Sequence, residues 1–200
     1  QCIERLQRAD FLVLKGNHDD AVVTGQIQSG MTQHAQWSWE WTRAQLDEHD
    51  RQWLQSLPPV AHGDSWMAVH GAPIDPSFFN AYVYHMTYED NLELLERRRV
   101  HICFHGHTHM PGVYGRHPKR GDIRCDESNQ PLRDYAHCLV CPGSVGQPRD
   151  GRTAAQFGLY DPQKRHLALH TVAYDVGRTV GDMQVAGFPA TMITRLQDGR

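Results

Sequence analysis

Three short apolar runs in this sequence each stop beside a glycine and a set of metal-ligating side chains, and this recurrence limits the folds open to the chain more than any other feature. Phe11 to Leu14 runs into Gly16-Asn17-His18-Asp19, Trp66 to Val69 into His70-Gly71, and Val100 to Phe104 into Gly106-His107-Thr108-His109. Short apolar runs bounded by glycine read as buried strands. Glycine lets the backbone turn sharply without a Cβ in the way, and in open α/β sheets ligands bind in the loops beyond the strand ends. Side chains far apart in sequence can thus converge. His107 and His109 are two apart in a segment read as extended, so their rings point the same way and could serve two adjacent ions. The Asn17 amide oxygen with imidazole nitrogens is a borderline-hard donor set, suited to Mn, Fe or Zn better than to Cu(I) or Ca.

The remaining pattern is that of an α/β chain. A helix to about Ala9 precedes the first apolar run, and Trp37, Trp41 and Ala44 recur at helical spacing and are expected in the core. Trp53, Leu54 and Leu57 mark a further helix that stops before Pro58-Pro59. Val60 to Val69 reads as a hairpin turning at Gly63-Asp64. Thr87 with Asp90 predicts a capping box for a helix that buries Leu92 and Leu95 and ends in a solvated Arg97-Arg98-Arg99 run. The polar, Gly/Pro-punctuated segment from Arg116 to Arg133 reads as a surface loop. Phe157 to Tyr160 and His166 to Tyr174 predict a hairpin, and a short amphipathic helix closes the chain. With no internal repeat and no linker, residues 1–200 read as one domain.

Composition narrows the function classes. A formal charge of −3 and a pI near 6.5 give no basic field for nucleic acid or an anionic membrane surface. No apolar stretch approaches the ~20 residues needed to span a bilayer. Five cysteines at irregular spacing do not form a secreted disulfide framework, which favours a reducing, cytoplasmic location. Fourteen histidines are the one excess, and imidazole is the commonest metal ligand. Cys138-x-x-Cys141 with Cys125 lacks a fourth zinc ligand and reads as free thiols. Gly143-Ser144-Val145-Gly146 with Arg149 offers amides and a guanidinium to a phosphate, a weak reading beside that of a plain tight turn.

The order Gly16-Asn17-His18-Asp19, then Val69-His70-Gly71, then Gly106-His107-Thr108-His109 resembles the calcineurin-like metallophosphoesterases. Trp37-Ser38-Trp39, Leu57-Pro58, His107 to Gly112, Pro142 to Gly151, Tyr174-Asp175-Val176 and Gly187-Phe188-Pro189 are similar to the small bacterial metallophosphatase group within it. The resemblance implies two facing mixed β-sheets flanked by helices, and a hydrolase that uses two divalent transition-metal ions and a hydroxide held between them. By matching, Asn17, His70 and His107 are ligands of the second metal and His109 of the first. His18 stands beside the scissile bond as acid or charge stabiliser, with Asp19 orienting it. The family's Asp-x-His and Gly-Asp-x-x-Asp motifs, which supply the other ligands of the first metal, have no counterpart here, so the chain is expected to be N-terminally truncated, to lack some strands and to hold one ion at most. The family has Asn where this chain has Cys141. The implied substrates are phosphorylated small molecules, nucleotides or phosphoproteins; the alternative is a metal-binding module or fragment without turnover.

Overall fold

The computed structural model describes residues 1–26 and 32–200. Its centre is a six-stranded mixed sheet in the order β1 (Val60–His62), β2 (Trp66–Val69), β3 (Ile102–His105), β7 (His137–Cys141), β4 (Gly112–His117), β5 (Gly121–Cys125). β2, β3 and β7 run parallel, and the outer pairings are antiparallel. A second sheet, β6 (Asn129–Pro131), β9 (His166–Val172) and β8 (Ala155–Asp161), is antiparallel throughout.

Strand alternation sorts the core into two layers. On one face Met67, Cys103, Tyr114 and Leu139 pack beneath α5 (Tyr88–Arg98), which contributes Leu92 and Leu95. On the other, Ile102, Val113, Cys138 and Val140 meet Leu132 and Leu167 of the second sheet's side. α2 (Asn17–Thr24), α3 (Gln33–Gln45) and α4 (Glu48–Ser56) gather around Val22, Leu54 and Leu57. The chain closes with α6 (Val176–Val185) and α7 (Ala190–Asp198), two helices where a single one was expected, packed through Val180, Ile193 and Leu196. Phe188, between them, meets Trp37 and Trp41 edge-on, with ring centroids 4.7 and 5.1 Å apart. These tryptophans are half-buried and serve to dock the C-terminal pair rather than to fill the core.

Several local expectations give way to tertiary context. Phe11 to Leu14, after α1 (Cys2–Arg8), is not a strand: among the described residues no strand lies beside it, and Phe11 and Leu12 are 68% and 66% exposed. An apolar run becomes a strand only where a neighbour completes its hydrogen bonds. Arg116 to Arg133 is not a loop but the end of β4, all of β5 and β6, and a 3₁₀ turn. Arg116 pairs with Asp122 across that hairpin through two bonds of 2.9 and 2.8 Å. A charged strand at a sheet edge carries the composition of a loop. Thr87 is the N-cap of α5 but makes no capping box, because its hydroxyl donates to the Tyr82 carbonyl and accepts from the Tyr84 amide.

Leu139 is fully buried at the centre of the large sheet. Leu139→Ala is expected to lower the unfolding free energy by about 2–5 kcal/mol, as measured by denaturant titration; a loss near zero would mean that this layer is not the core.

Candidate metal centre

Parallel pairing of β2 with β3 sets Val69 opposite His105, so both strands finish on the same sheet edge. The next residues continue the ladder, with the Gly106 amide donating to the His70 carbonyl at 2.9 Å. His70 and the turn at 106–109 are thereby held side by side. Gly16 caps α2 directly against the His70 ring: a Cβ there would lie 3.1 Å from His70 Nδ1. Asn17, the first residue of that helix, is carried to the same point.

The result is a convergence of three donor atoms. His70 Nε2 lies 2.9 Å from Asn17 Oδ1 and 3.2 Å from His107 Nδ1. A single proton on His70 Nε2 can serve only one of these neighbours. Donors held about 2.1 Å from one ion are separated by about 3.0 Å on an octahedral edge and about 3.4 Å on a tetrahedral one, so the spacing fits a shared transition-metal ion. His107 Nε2 is buried, and the Asn80 backbone is the group beside this ring that favours a proton on it. Tyr82 packs on the ring at a centroid distance of 4.1 Å.

Burial, reinforced by the neighbouring imidazoles, lowers the His70 pKa to about 4 and that of His107 to about 3. Both are neutral at pH 7, which is the state that ligates. Burial and then Arg149 lower that of His109 as well. His109 Nδ1 donates to the Gln147 carbonyl at 2.7 Å, which fixes the tautomer and leaves Nε2 with its lone pair. The 106–109 turn is not extended as expected: His107 and His109 both have left-handed backbones, φ 61° and 58°, closed by Thr108 N on the Gly106 carbonyl at 2.6 Å. Such residues cost about 1–3 kcal/mol each and persist where the surroundings enforce them. Both side chains nevertheless line the same cavity, of about 510 Å³.

That cavity also takes in Asn17, His18 and Arg149. The Asp19 carboxylate accepts from its own helix cap, the Gly16 amide, at 2.8 Å. Its influence on His18 is electrostatic, opposing the burial that lowers the His18 pKa. Ser144 does not line the cavity; its hydroxyl accepts from the Gln147 amide and its own amide donates to Gln156 Oε1, so it shapes the turn that carries Arg149. Tyr82, His34 and Arg195 line the cavity without having been signalled by the sequence. They arrive from a loop, a helix start and the C-terminal helix, and no spacing relates them.

Two other groupings are not part of the centre. Asp47, His49 and Asp50 lie within reach of one another, yet Asp47 caps α4 by accepting from the Asp50 amide at 2.8 Å. Cys138 and Cys141 lie three apart on β7 and so face opposite ways, while Cys125 is separated from that strand by β4. All five cysteines are free.

The family model for the calcineurin-like phosphoesterase superfamily domain matches residues 1–165. The chain belongs to this superfamily. Among solved structures, this calcineurin-like chain is similar to a metallophosphoesterase from Sphaerobacter thermophilus, with 27% identity, a TM-score of 0.82 and coverage of 100% of this chain and 81% of the other. A hypothetical protein from Pyrococcus horikoshii OT3 shares the fold at 18% identity and a TM-score of 0.76, with 100% and 77% covered. An uncharacterized protein of Methanocaldococcus jannaschii is 24% identical over 204 residues, spanning 100% of this chain and 80% of its own. The match extends the family's mixed α/β architecture to this chain and identifies it as a metal-binding hydrolase fold.

Two measurements test the site's construction. A Cβ on Gly71 would lie 2.9 Å from the Ala81 carbonyl and 3.2 Å from those of Phe78 and Phe79. Gly71→Ala must therefore displace the segment leading to Tyr82, with an expected loss of about 1–3 kcal/mol and weaker metal binding in a zinc titration; unchanged stability and affinity would show that the segment yields freely. Burial pushes the Cys138 thiol up to about 12 and raises that of Cys141. A disulfide reagent at pH 8 should thus label exposed Cys2 rapidly and reach Cys138 and Cys141 only on unfolding; fast native labelling of either would contradict the buried placement of β7.

Proposed function

We propose that this chain hydrolyses phosphoesters in a metal-dependent reaction, with Asn17, His70 and His107 holding one divalent transition-metal ion and His109 facing the position of a second. The observation that carries this reading is the approach of His70 Nε2 to Asn17 Oδ1 at 2.9 Å and to His107 Nδ1 at 3.2 Å, beside a cavity that His18 lines without being one of these donors. Asn17, His70 and His107 would hold a Mn, Fe or Zn ion, which when bound would neutralise charge on phosphoryl oxygens and make a water more acidic. The protein's own groups do the rest. Arg149 faces the cavity and its guanidinium can hold a non-bridging oxygen. His18 follows the ligand Asn17 on the first turn of α2 and lines the same cavity, where it can protonate the leaving oxygen or stabilise its charge. Burial and Arg149 disfavour its protonated form, and an anionic phosphoryl group beside it would oppose both effects.

No Asp or Glu lines the cavity among the described residues, so the second position has His109 alone. We therefore assign one tightly held ion to this chain. Phosphorylated small molecules, nucleotides and phosphoproteins are the substrate classes this chemistry fits. No described helix is long and apolar enough to cross a membrane, and the free thiols support a reducing, cytoplasmic setting.

The test combines metal analysis with turnover. After dialysis the zinc- or manganese-loaded chain should retain one equivalent, which Asn17→Ala or His107→Ala should abolish. Release of product from an alkyl and an aryl phosphoester should track the bound metal. His18→Gln should keep the metal while slowing the alkyl ester by about 10²–10⁴-fold, and the aryl ester less, because a weakly basic oxygen needs little protonation. Metal retention with no hydrolysis of either ester would overturn the catalytic reading in favour of a metal-binding module.

A further inference from the structure

The cavity at the metal centre is finished by a part of the chain that the family model does not reach. The match ends at residue 165, whereas Met192 and Arg195 of α7 form one wall. That wall is fastened from three sides. His34 bonds to the Thr191 hydroxyl, Phe188 sits against Trp37 and Trp41, and the Gly151 amide donates to the Gly199 carbonyl at 3.0 Å. A Cβ on Gly199 would fall within 2.5 Å of the Arg152 carbonyl, so the end of α7 is pressed against the loop that carries Arg149.

The charge of this cavity is one-sided. Two arginines and four histidines line it with no carboxylate among the described residues, in a chain whose formal charge is −3. Arg149 donates to Gln147 Oε1 at 3.3 Å, but its Nε is buried without a partner. Arg195 Nε donates to an oxygen of Arg200 at 3.3 Å. Two guanidiniums that line one cavity with no carboxylate among the described residues call for an anion of matching charge.

We propose that Arg149 and Arg195 form a clamp for a dianionic phosphoryl group, so that the site takes phosphomonoesters in preference to phosphodiesters, with α7 as the element that confers the selectivity. This rests on the reading of the cavity as a phosphoester site and names its substrate class. A monoester, whose second pKa is about 6, carries close to two negative charges at about pH 8 and presents three non-bridging oxygens. A diester carries one charge, and its second ester arm would set an uncharged group against one of the guanidiniums, leaving that cation desolvated and unpaired.

The test is calorimetric binding to the full metal-loaded chain at pH 8, with inorganic phosphate as the dianion and dimethyl phosphate as the monoanion. Phosphate is expected to bind the more tightly. Arg195→Gln should weaken phosphate by about tenfold, the worth of one charge-assisted hydrogen bond, while changing dimethyl phosphate by less than about twofold; Arg195→Lys should recover part of the loss. Arg195 is exposed at the helix surface, and unchanged metal content and melting temperature would show that the variant is folded and loaded. Equal affinity of the two anions in the parent chain, or an unchanged phosphate affinity in Arg195→Gln, overturns the proposal. Because binding needs no turnover, a chain that prefers phosphate but hydrolyses nothing would uphold the clamp and defeat the catalytic reading. Hydrolysis without the preference would do the reverse.

Discussion

The parallel register of β2 on β3 is the constraint on which the site depends. It places Val69 opposite His105 and lets the Gly106 amide reach the His70 carbonyl, so a donor at the end of one strand and a turn at the end of the next are bound to the same edge. A slip of one residue would send alternate side chains to the wrong face of the sheet and part His70 from His107 together. Both strands are held from above by α5 and from below by the second sheet, which is what makes such a slip costly. The placement of the donor side chains thus depends on the packing of Leu92, Leu95 and Leu139.

How much of this was legible from sequence depended on whether a residue's role was set locally. Asn17, His70, His107 and His109 each follow a glycine-marked strand end or helix start, and that pattern is local. The structure brings them into one region because the α/β architecture aligns those ends. Phe11 to Leu14 is apolar enough to be a strand, yet strand formation depends on a neighbour that its own residues do not encode. Arg116 to Cys125 failed in the other direction: charges that would mark a loop are instead paired across an edge hairpin, as Arg116 and Asp122 show. Asp19 was expected to orient His18, but a carboxylate three residues beyond a glycine N-cap has a nearer donor in the Gly16 amide. Arg195 belongs to none of the motifs and reaches the cavity through the docking of Phe188 and Thr191.

Burial does two things at the centre that pull in opposite directions. It keeps His70 and His107 neutral, and so ready to ligate, by penalising the imidazolium form. It also takes His107 Nε2 out of water, beside a turn that holds two histidines in left-handed backbone conformations. Within the cluster, His70 Nε2 can share only one proton between two acceptors. A shared cation would relieve the competition by accepting all three lone pairs at once, which is why an arrangement unfavourable as a hydrogen-bond network is favourable as a coordination site.

The C-terminal helices add a division of labour that follows from their placement. The sheet edge and α2 supply the neutral donors and His18, and these fall inside the part of the chain matched by the family model. α7 supplies a full positive charge from outside it, and its position is set by contacts with α3 and the 149–152 loop rather than by the sheet. Changes in α7 can therefore alter which anion is held without disturbing the register that assembles the ligands. In the proposed reading, chemistry and selectivity belong to different packing units: the donors sit on a buried core, whereas α7 is held by contacts at the surface, including that of half-buried Trp37 and Trp41 with Phe188. In a fold built this way, selectivity has the weaker structural constraint of the two and is the property that substitution can shift at the smaller cost in stability.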